Sequence, residues 1–246
     1  MTMKKLLFSV VIIFFVNLTF GQTRQTYLFV SGAWGGGWEY KKVDSILTAQ
    51  GHKVYRPTMT GLGERVHLAN AEISLSTHIN DIVNVILFED LRNITLVGHS
   101  YGGMVISGVA EQVPERIKKL IYLDAFVPND GESIQKINGP AWEQMIVPIV
   151  KNGLISYPFG ATKPLPPTDV PQPLKTFTET LKINNPLVPK ISTTYILMMK
   201  DGKGDFIEWG ASRAKKRGWP ILTLEGGHYA MRDQPTELVK ILEKCK

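Results

Sequence analysis

The sequence predicts an α/β fold, a mostly parallel sheet with helices on both faces, and three observations carry that expectation. Short apolar, β-rich runs alternate with helical stretches along most of the chain, the pattern of strand–helix–strand units with right-handed crossovers. Runs such as Ile94–Val97 and Lys118–Asp124 read as buried strands, as expected for a parallel sheet covered on both sides. A length of 246 residues, 43% of them hydrophobic and 20% charged, suits one sizeable core.

Residues 1–21 stand apart. Met1 to Lys5 is a basic n-region, Leu6 to Val16 is an apolar run broken only by Ser9, and Thr19-Phe20-Gly21 places small residues at −3 and −1 of a cut before Gln22. This predicts a secretory signal peptide, with an uncleaved anchor as the alternative. The expected organisation is therefore a signal peptide over 1–21 and one domain over 22–246, secreted or periplasmic, with no membrane attachment after cleavage. Removing Lys4 and Lys5 takes the net charge from +6 to +4, and Lys215-Lys216-Arg217 is the only dense basic cluster. Such a cluster reads as a solvated helix end, so no nucleic-acid partner is expected. Cys245 is the only cysteine, which excludes an intrachain disulfide and a cysteine metal site.

In chain order, Tyr27–Val30 is the first strand of the mature chain. It runs into Ser31–Trp38, a loop with four glycines in eight residues, where backbone can come close to a ligand. A helix follows over about 39–50, stopped by Gly51, and His52–Arg56 is a second strand ended by Pro57. The loop 58–68 holds Glu64 and His67, for which tethering the loop is the expected role. Ser76 or Thr77 can cap a helix across Ile79, Ile82, Val83, Ile86 and Leu87, with His78 a surface or capping residue in its first turn. Next come the strand Ile94–Val97, a helix to about Gln112, and the strand Lys118–Asp124. Ten of the 15 prolines then fall between 140 and 189, a density that forbids long helices throughout, while Trp142, Tyr157, Phe159 and Phe177 argue against disorder. This stretch, about 129–190, is read as a cap insertion. Thr193–Met199 resumes the sheet, a helix follows from about Phe206, Ile221–Leu224 is the last strand, and a closing helix begins near Pro235.

The chemistry centres on Gly98-His99-Ser100-Tyr101-Gly102, which fits G-x-S-x-G between a strand and a helix. Such a turn projects the serine hydroxyl, and the helix N-terminus behind it favours a developing oxyanion. A serine hydroxyl needs a base and a group to orient that base. Of the five histidines, His228 lies past the last strand, at the edge where loops gather in an open parallel sheet, and follows the serine in the chain. His99 sits inside the turn and points away from the Ser100 direction, and His52 opens a strand at the opposite sheet end. Two aspartates compete as the orienting acid. Asp124 closes an apolar strand, where a carboxylate needs a hydrogen-bonded partner. Asp201 stands before a loop rich in glycine and charge, and Asp205 in that loop reads as solvated. Asp124 is favoured. The N–H groups of Tyr101 and Ala33 fit two donors meeting over the serine.

Together Gly32-Ala33-Trp34, Gly61–Arg65, Gly98–Met104, Tyr122–Pro128 and Gly227-His228 make the chain resemble the α/β-hydrolase superfamily over essentially its whole mature length. Within it, the chain is similar to small serine esterases related to plant methylesterases and hydroxynitrile lyases. The resemblance implies Ser100 as nucleophile, His228 as base, Ala33 and Tyr101 as oxyanion donors, and no cofactor or metal. Three departures qualify it. Ser31-Gly32 stands where His-Gly is usual, Tyr229 replaces the lysine that hydroxynitrile lyases carry beside the histidine, and the acid has two candidates. Asp201 matches the common superfamily position, whereas Asp124-Ala125 resembles the haloalkane dehalogenases, whose aspartate nucleophile is Ser100 here. The expectation is a serine carboxylic-ester hydrolase acting on a small-molecule ester through an acyl-enzyme. A lyase or carbon–carbon bond hydrolase on the same residues, or a binding protein without turnover, is the alternative. Acyl and alcohol preference and oligomeric state are not legible.

Overall fold

The computed structural model describes residues 24–204 and 207–245. The expected signal segment 1–21, Asp205 and the expected helix start at Phe206 lie outside the described residues. Among the described residues no helix is long and apolar enough to cross a membrane.

The central sheet contains β1 (Thr26–Val30), β2 (Lys53–Tyr55), β3 (Ile94–His99), β4 (Ile117–Leu123), β8 (Ser192–Lys200) and β10 (Ile221–Glu225), after the short strands β5 (Val150–Lys151), β6 (Leu154–Ile155) and β7 (Gln172–Pro173) that pair only with one another. The six central strands are parallel, in the order β10-β8-β4-β3-β1-β2. The chain thus runs outward from β1 to β2 and then returns to the other side of β1. That reversal opens the crevice at the carboxyl ends of β1 and β3 where ligands bind in such sheets. A short antiparallel strand, β9 (Lys203–Gly204), folds back on the tip of β8 and was not expected from the sequence.

Side-chain alternation explains why these strands are apolar on both faces. Leu28, Val30, Leu96, Leu120, Tyr122, Tyr195 and Leu197 belong to one buried cluster, with α2 (Leu75–Phe88) and α3 (Gly102–Gln112) packed on it. Tyr27, Phe29, Val97, Ile121, Leu123, Ile196 and Met198 form the opposite cluster, against α1 (Lys41–Ala49) and α9 (Pro235–Lys244). Each strand is a period-two element buried twice over. α2 begins earlier than expected: Ser74 is its cap, accepting from the Thr77 N–H in a reciprocal capping box.

Residues 129–190 hold α4 (Ile134–Asn138), α5 (Ala141–Met145), α6 (Lys175–Thr178) and the three-stranded antiparallel sheet β5-β6-β7. Pro140 and Pro148 flank α5 and keep it short, and Pro140 follows α4. The segment is nevertheless ordered by an aromatic cluster in which Trp34 meets Phe177, Phe159 and Tyr157 at 5.6, 5.8 and 6.0 Å between ring centroids. After β8 the chain continues through α7 (Glu208–Lys216), β10, α8 (Ala230–Asp233) and α9.

Candidate active site

Ser100 sits where β3 turns directly into α3, and its φ of 52° places it in the left-handed region. For a non-glycine residue that conformation costs about 1–2 kcal/mol, so surrounding bonds must enforce it. The Ser100 carbonyl accepts from the N–H groups of Gly103 and Phe126, both at 3.0 Å. Glycine at 102 and 103 is compelled by packing: a Cβ would lie 2.7 Å from the Val30 carbonyl oxygen at Gly102 and 2.1 Å from that of Phe126 at Gly103. The loop after β1 lies as close on the other side, since a Cβ on Gly32 would stand 3.2 Å from the Ser100 Cβ. Ala33, Ser100, Tyr101 and His228 all line one cavity of about 180 Å³.

His228 donates from Nδ1 to Oδ2 of Asp124 at 2.6 Å. The Asp124 side chain is fully buried and that of His228 is 13% exposed. Asp124 takes a second bond at Oδ1 from the Met198 N–H, at 3.4 Å, and gives its own N–H to the Ile196 carbonyl at 2.8 Å. With the Nδ1 proton given to the carboxylate, Nε2 of His228 carries the lone pair. Asp201, by contrast, is exposed in the turn between β8 and β9. The structure therefore joins His228 to Asp124. Glu64 and His67 are exposed, and Glu64 accepts from the Thr58 hydroxyl at 2.9 Å, a loop tether as expected.

His78 corrects the sequence reading. It is fully buried rather than superficial, because α2 turns its first coil inward against α3. Its Nε2 bonds the Thr60 carbonyl and its Nδ1 the Tyr101 hydroxyl, each at 2.9 Å. Nε2 facing a carbonyl must carry the proton, so Nδ1 accepts from the phenol. Burial holds the ring neutral, pushing its pKa from 6.5 to about 4, with the Thr60 bond and Asp81 opposing and Arg65 adding to the fall.

Other supporting residues were missed because their partners are distant in the chain. His99 is buried, and its Nε2 bonds the His228 carbonyl at 2.8 Å, so one residue of the serine turn holds the histidine loop. Burial, then the neighbouring His228, keep the His99 ring well below its ordinary pKa. The hydroxyl of Tyr195 in β8 accepts from the Ala125 N–H at 3.1 Å and bonds the Ile207 carbonyl at 3.1 Å, bracing the loop after Asp124. Arg232 is held by Asp169 at 2.7 Å and by Glu39, with its guanidinium 4.5 Å from the Trp38 ring centre and 4.4 Å from that of Tyr229. Only the neighbouring Gly-Gly-His would have drawn attention to that arginine. Among the described residues no cluster of histidine, cysteine or carboxylates could hold a metal ion.

The His78 geometry predicts an acid-side loss of stability. Unfolded His78 binds a proton below about pH 6.5, whereas the folded ring resists until about 4. Stability is therefore lost as pH falls from 6.5 toward 4, at up to about 1.4 kcal/mol per pH unit. Urea unfolding over that window should show a shallower pH slope for His78→Gln; identical slopes for both proteins would refute the burial account.

Comparison with known proteins agrees with this architecture. The model of the alpha/beta hydrolase family matches residues 27–241. A carbendazim hydrolyzing esterase of Nocardioides sp. (strain SG-4G) is 34% identical over 235 residues, 88% of this chain and 97% of its own. Methylesterase 1 of Arabidopsis thaliana is 28% identical over 112 residues, 45% of this chain and 43% of its own. Among solved structures, an extracellular alpha/beta-hydrolase from a Paenibacillus species superposes with a TM-score of 0.76 over 90% of this chain and 98% of its own, at 24% identity. With a family match across nearly all of the described residues and a relative similar over almost its full length, the chain belongs to the alpha/beta hydrolase family.

Proposed function

We propose that the chain is a serine carboxylic-ester hydrolase working through an acyl-enzyme, with Ser100, His228 and Asp124 as its triad. The observation that carries this reading is the buried Asp124–His228 pair at the same cavity as a serine in a left-handed strand-to-helix turn. The Ser100 Oγ attacks the ester carbonyl while His228 Nε2 takes its proton, and Asp124 stabilises the imidazolium. The N–H groups of Ala33 and Tyr101 receive the oxyanion. Collapse of the tetrahedral intermediate expels the alcohol, which leaves with the proton from His228. Water then gives a proton back to His228 and attacks the acyl carbonyl, and a second collapse frees the acid and restores the serine. The resemblance to esterases in sequence supports the same reaction class. Tyr229 supports an esterase over a cyanohydrin lyase: burial first, then the bonded Tyr157, push its phenol well above its usual pKa, so it supplies neither cation nor base.

On this reading Ser100 alone should be labelled by a fluorophosphonate, once, and Ser100→Ala should lose labelling and about 10³-fold or more of kcat. Asp124→Asn should lower kcat by about two to four orders of magnitude while the protein stays folded, and Asp201→Asn should leave it within about threefold. The opposite pattern would move the acid to Asp201.

The lining of the cavity supports an ester with one apolar half. Trp34, Phe126, Ile146, Phe159, Phe177 and Trp209 line it, so one half of the ester is apolar. A space of about 180 Å³ is close to an engineered apolar cavity of about 150 Å³ that binds benzene, so that half is about one ring or a short chain in size. Phe159→Ala should shift the optimum to longer acyl chains in a graded ester series and leave Ser100 labelling intact. Uniform loss on every ester would assign Phe159 to the chemistry instead.

The basic and apolar run of 1–21 supports export of the mature chain, in keeping with an extracellular structural neighbour. N-terminal sequencing of exported protein should begin at Gln22; an intact Met1 in the membrane fraction would replace export with anchoring.

A further inference from the structure

Ser31 occupies the place where the family's oxyanion loop usually has histidine, and it does not hold the loop: its buried Oγ has no hydrogen-bond partner among the described residues. The loop is held from the opposite side. Trp34, the residue after Ala33, has a φ of 62°, a conformation that side-chain-bearing residues rarely adopt, and three bonds fix it there. Its N–H donates to Gln172 Oε1 at 2.9 Å, its carbonyl accepts from the Val170 N–H at 2.8 Å, and its indole N–H reaches the Ile155 carbonyl at 3.1 Å. All three partners belong to the proline-rich segment.

Gln172 is fully buried, and its orientation is determined. Its Nε2 donates to Thr176 Oγ1 at 2.7 Å, while the Thr176 hydroxyl spends its own proton on the Pro173 carbonyl at 2.6 Å. The Thr176 oxygen can therefore only accept from Gln172, and a flipped amide would point NH2 at the Trp34 N–H. One buried polar chain thus runs Trp34–Gln172–Thr176–Pro173, and it ties the peptide that follows Ala33 to the backbone of the proline-rich segment. Buried networks satisfied at every member rigidify what they join.

We infer that Gln172 is a positioning residue for the oxyanion hole: by fixing the Trp34 peptide it sets the aim of the Ala33 N–H relative to that of Tyr101. The inference rests on the two N–H groups being the oxyanion donors, as proposed above. The substrate-covering segment then supplies part of the catalytic alignment as well as the pocket wall.

Gln172→Met keeps length and volume but accepts nothing from Trp34. Losing a whole oxyanion donor costs about 10²–10³ in kcat, so mis-aiming one should cost about 10- to 100-fold. On a short-chain p-nitrophenyl ester the expected result is that loss in kcat with KM within about threefold, and a parallel fall in the rate at which a fluorophosphonate modifies Ser100. A folded Gln172→Met with wild-type kcat, or with its loss carried by KM, overturns the inference. Thr176→Val, which leaves Gln172 in place but frees its amide, carries the same test should Gln172→Met fail to fold: about threefold lower kcat is expected, and an unchanged kcat overturns it. A wild-type protein that is not labelled at Ser100 refutes the acyl-enzyme reading itself, a result separate from any behaviour of Gln172.

Discussion

The direct passage of β3 into α3 constrains everything around it. One residue, Ser100, must reverse the chain in a left-handed conformation, and the two carbonyl bonds that enforce it come from Gly103 and Phe126. Phe126 lies two residues past Asp124, which is itself left-handed at φ 41°. The serine turn and the aspartate turn are therefore braced by the same loop, and neither can relax alone. Close backbone approach is the condition for this arrangement: the Val30 and Phe126 carbonyls occupy the space that side chains at 102 and 103 would fill. Glycine there is a packing requirement more than a conformational one.

Burial then decides which charges survive near the serine. Asp124 is removed from water, and an unpaired carboxylate there would be strongly destabilising. The imidazole N–H of His228 and the Met198 N–H of β8 supply its partners. The histidine loop is fixed from three directions: by Asp124 at the ring, by His99 at the His228 carbonyl, and by Arg232 three residues on from Tyr229. Arg232 lies between two aromatic faces and two carboxylates, and burial pushes the carboxyl of one of them, Glu39, up to about 7 against the pull of the guanidinium. Through Glu39, Asp169 and the ring of Tyr229, Arg232 joins the first loop, the proline-rich segment and the histidine loop.

The proline-rich segment is where local rules and tertiary structure part most. Proline density correctly forbids long helices, yet says nothing of the three-stranded sheet β5-β6-β7 or of the aromatic cluster that seats Trp34. Pairing between residues as far apart as Trp34 and Gln172 depends on contacts more than a hundred residues away in sequence. A glutamine within a run of prolines carries no local signal of such a role.

By itself the sequence determined what depends on neighbours along the chain. The parallel sheet follows from strand–helix alternation, the turn at Ser100 from glycines flanking a strand end, and the loop position of His228 from the last strand that precedes it. Between the two aspartates it favoured Asp124 only on the apolar run that precedes it, since both follow adjacent strands whose ends border one crevice. Register decides the matter: Leu123 pairs with Ile196, which sets Asp124 level with Leu197 and within reach of the ring. Asp201 stands four residues further along β8 and its turn, roughly 13 Å of extended chain at 3.3 Å per residue. The burial of His78, the bonds of His99 and Tyr195 and the orientation of Gln172 likewise come only from packing between distant segments, because a side chain's chemistry is written in the sequence while its partner is supplied by the fold.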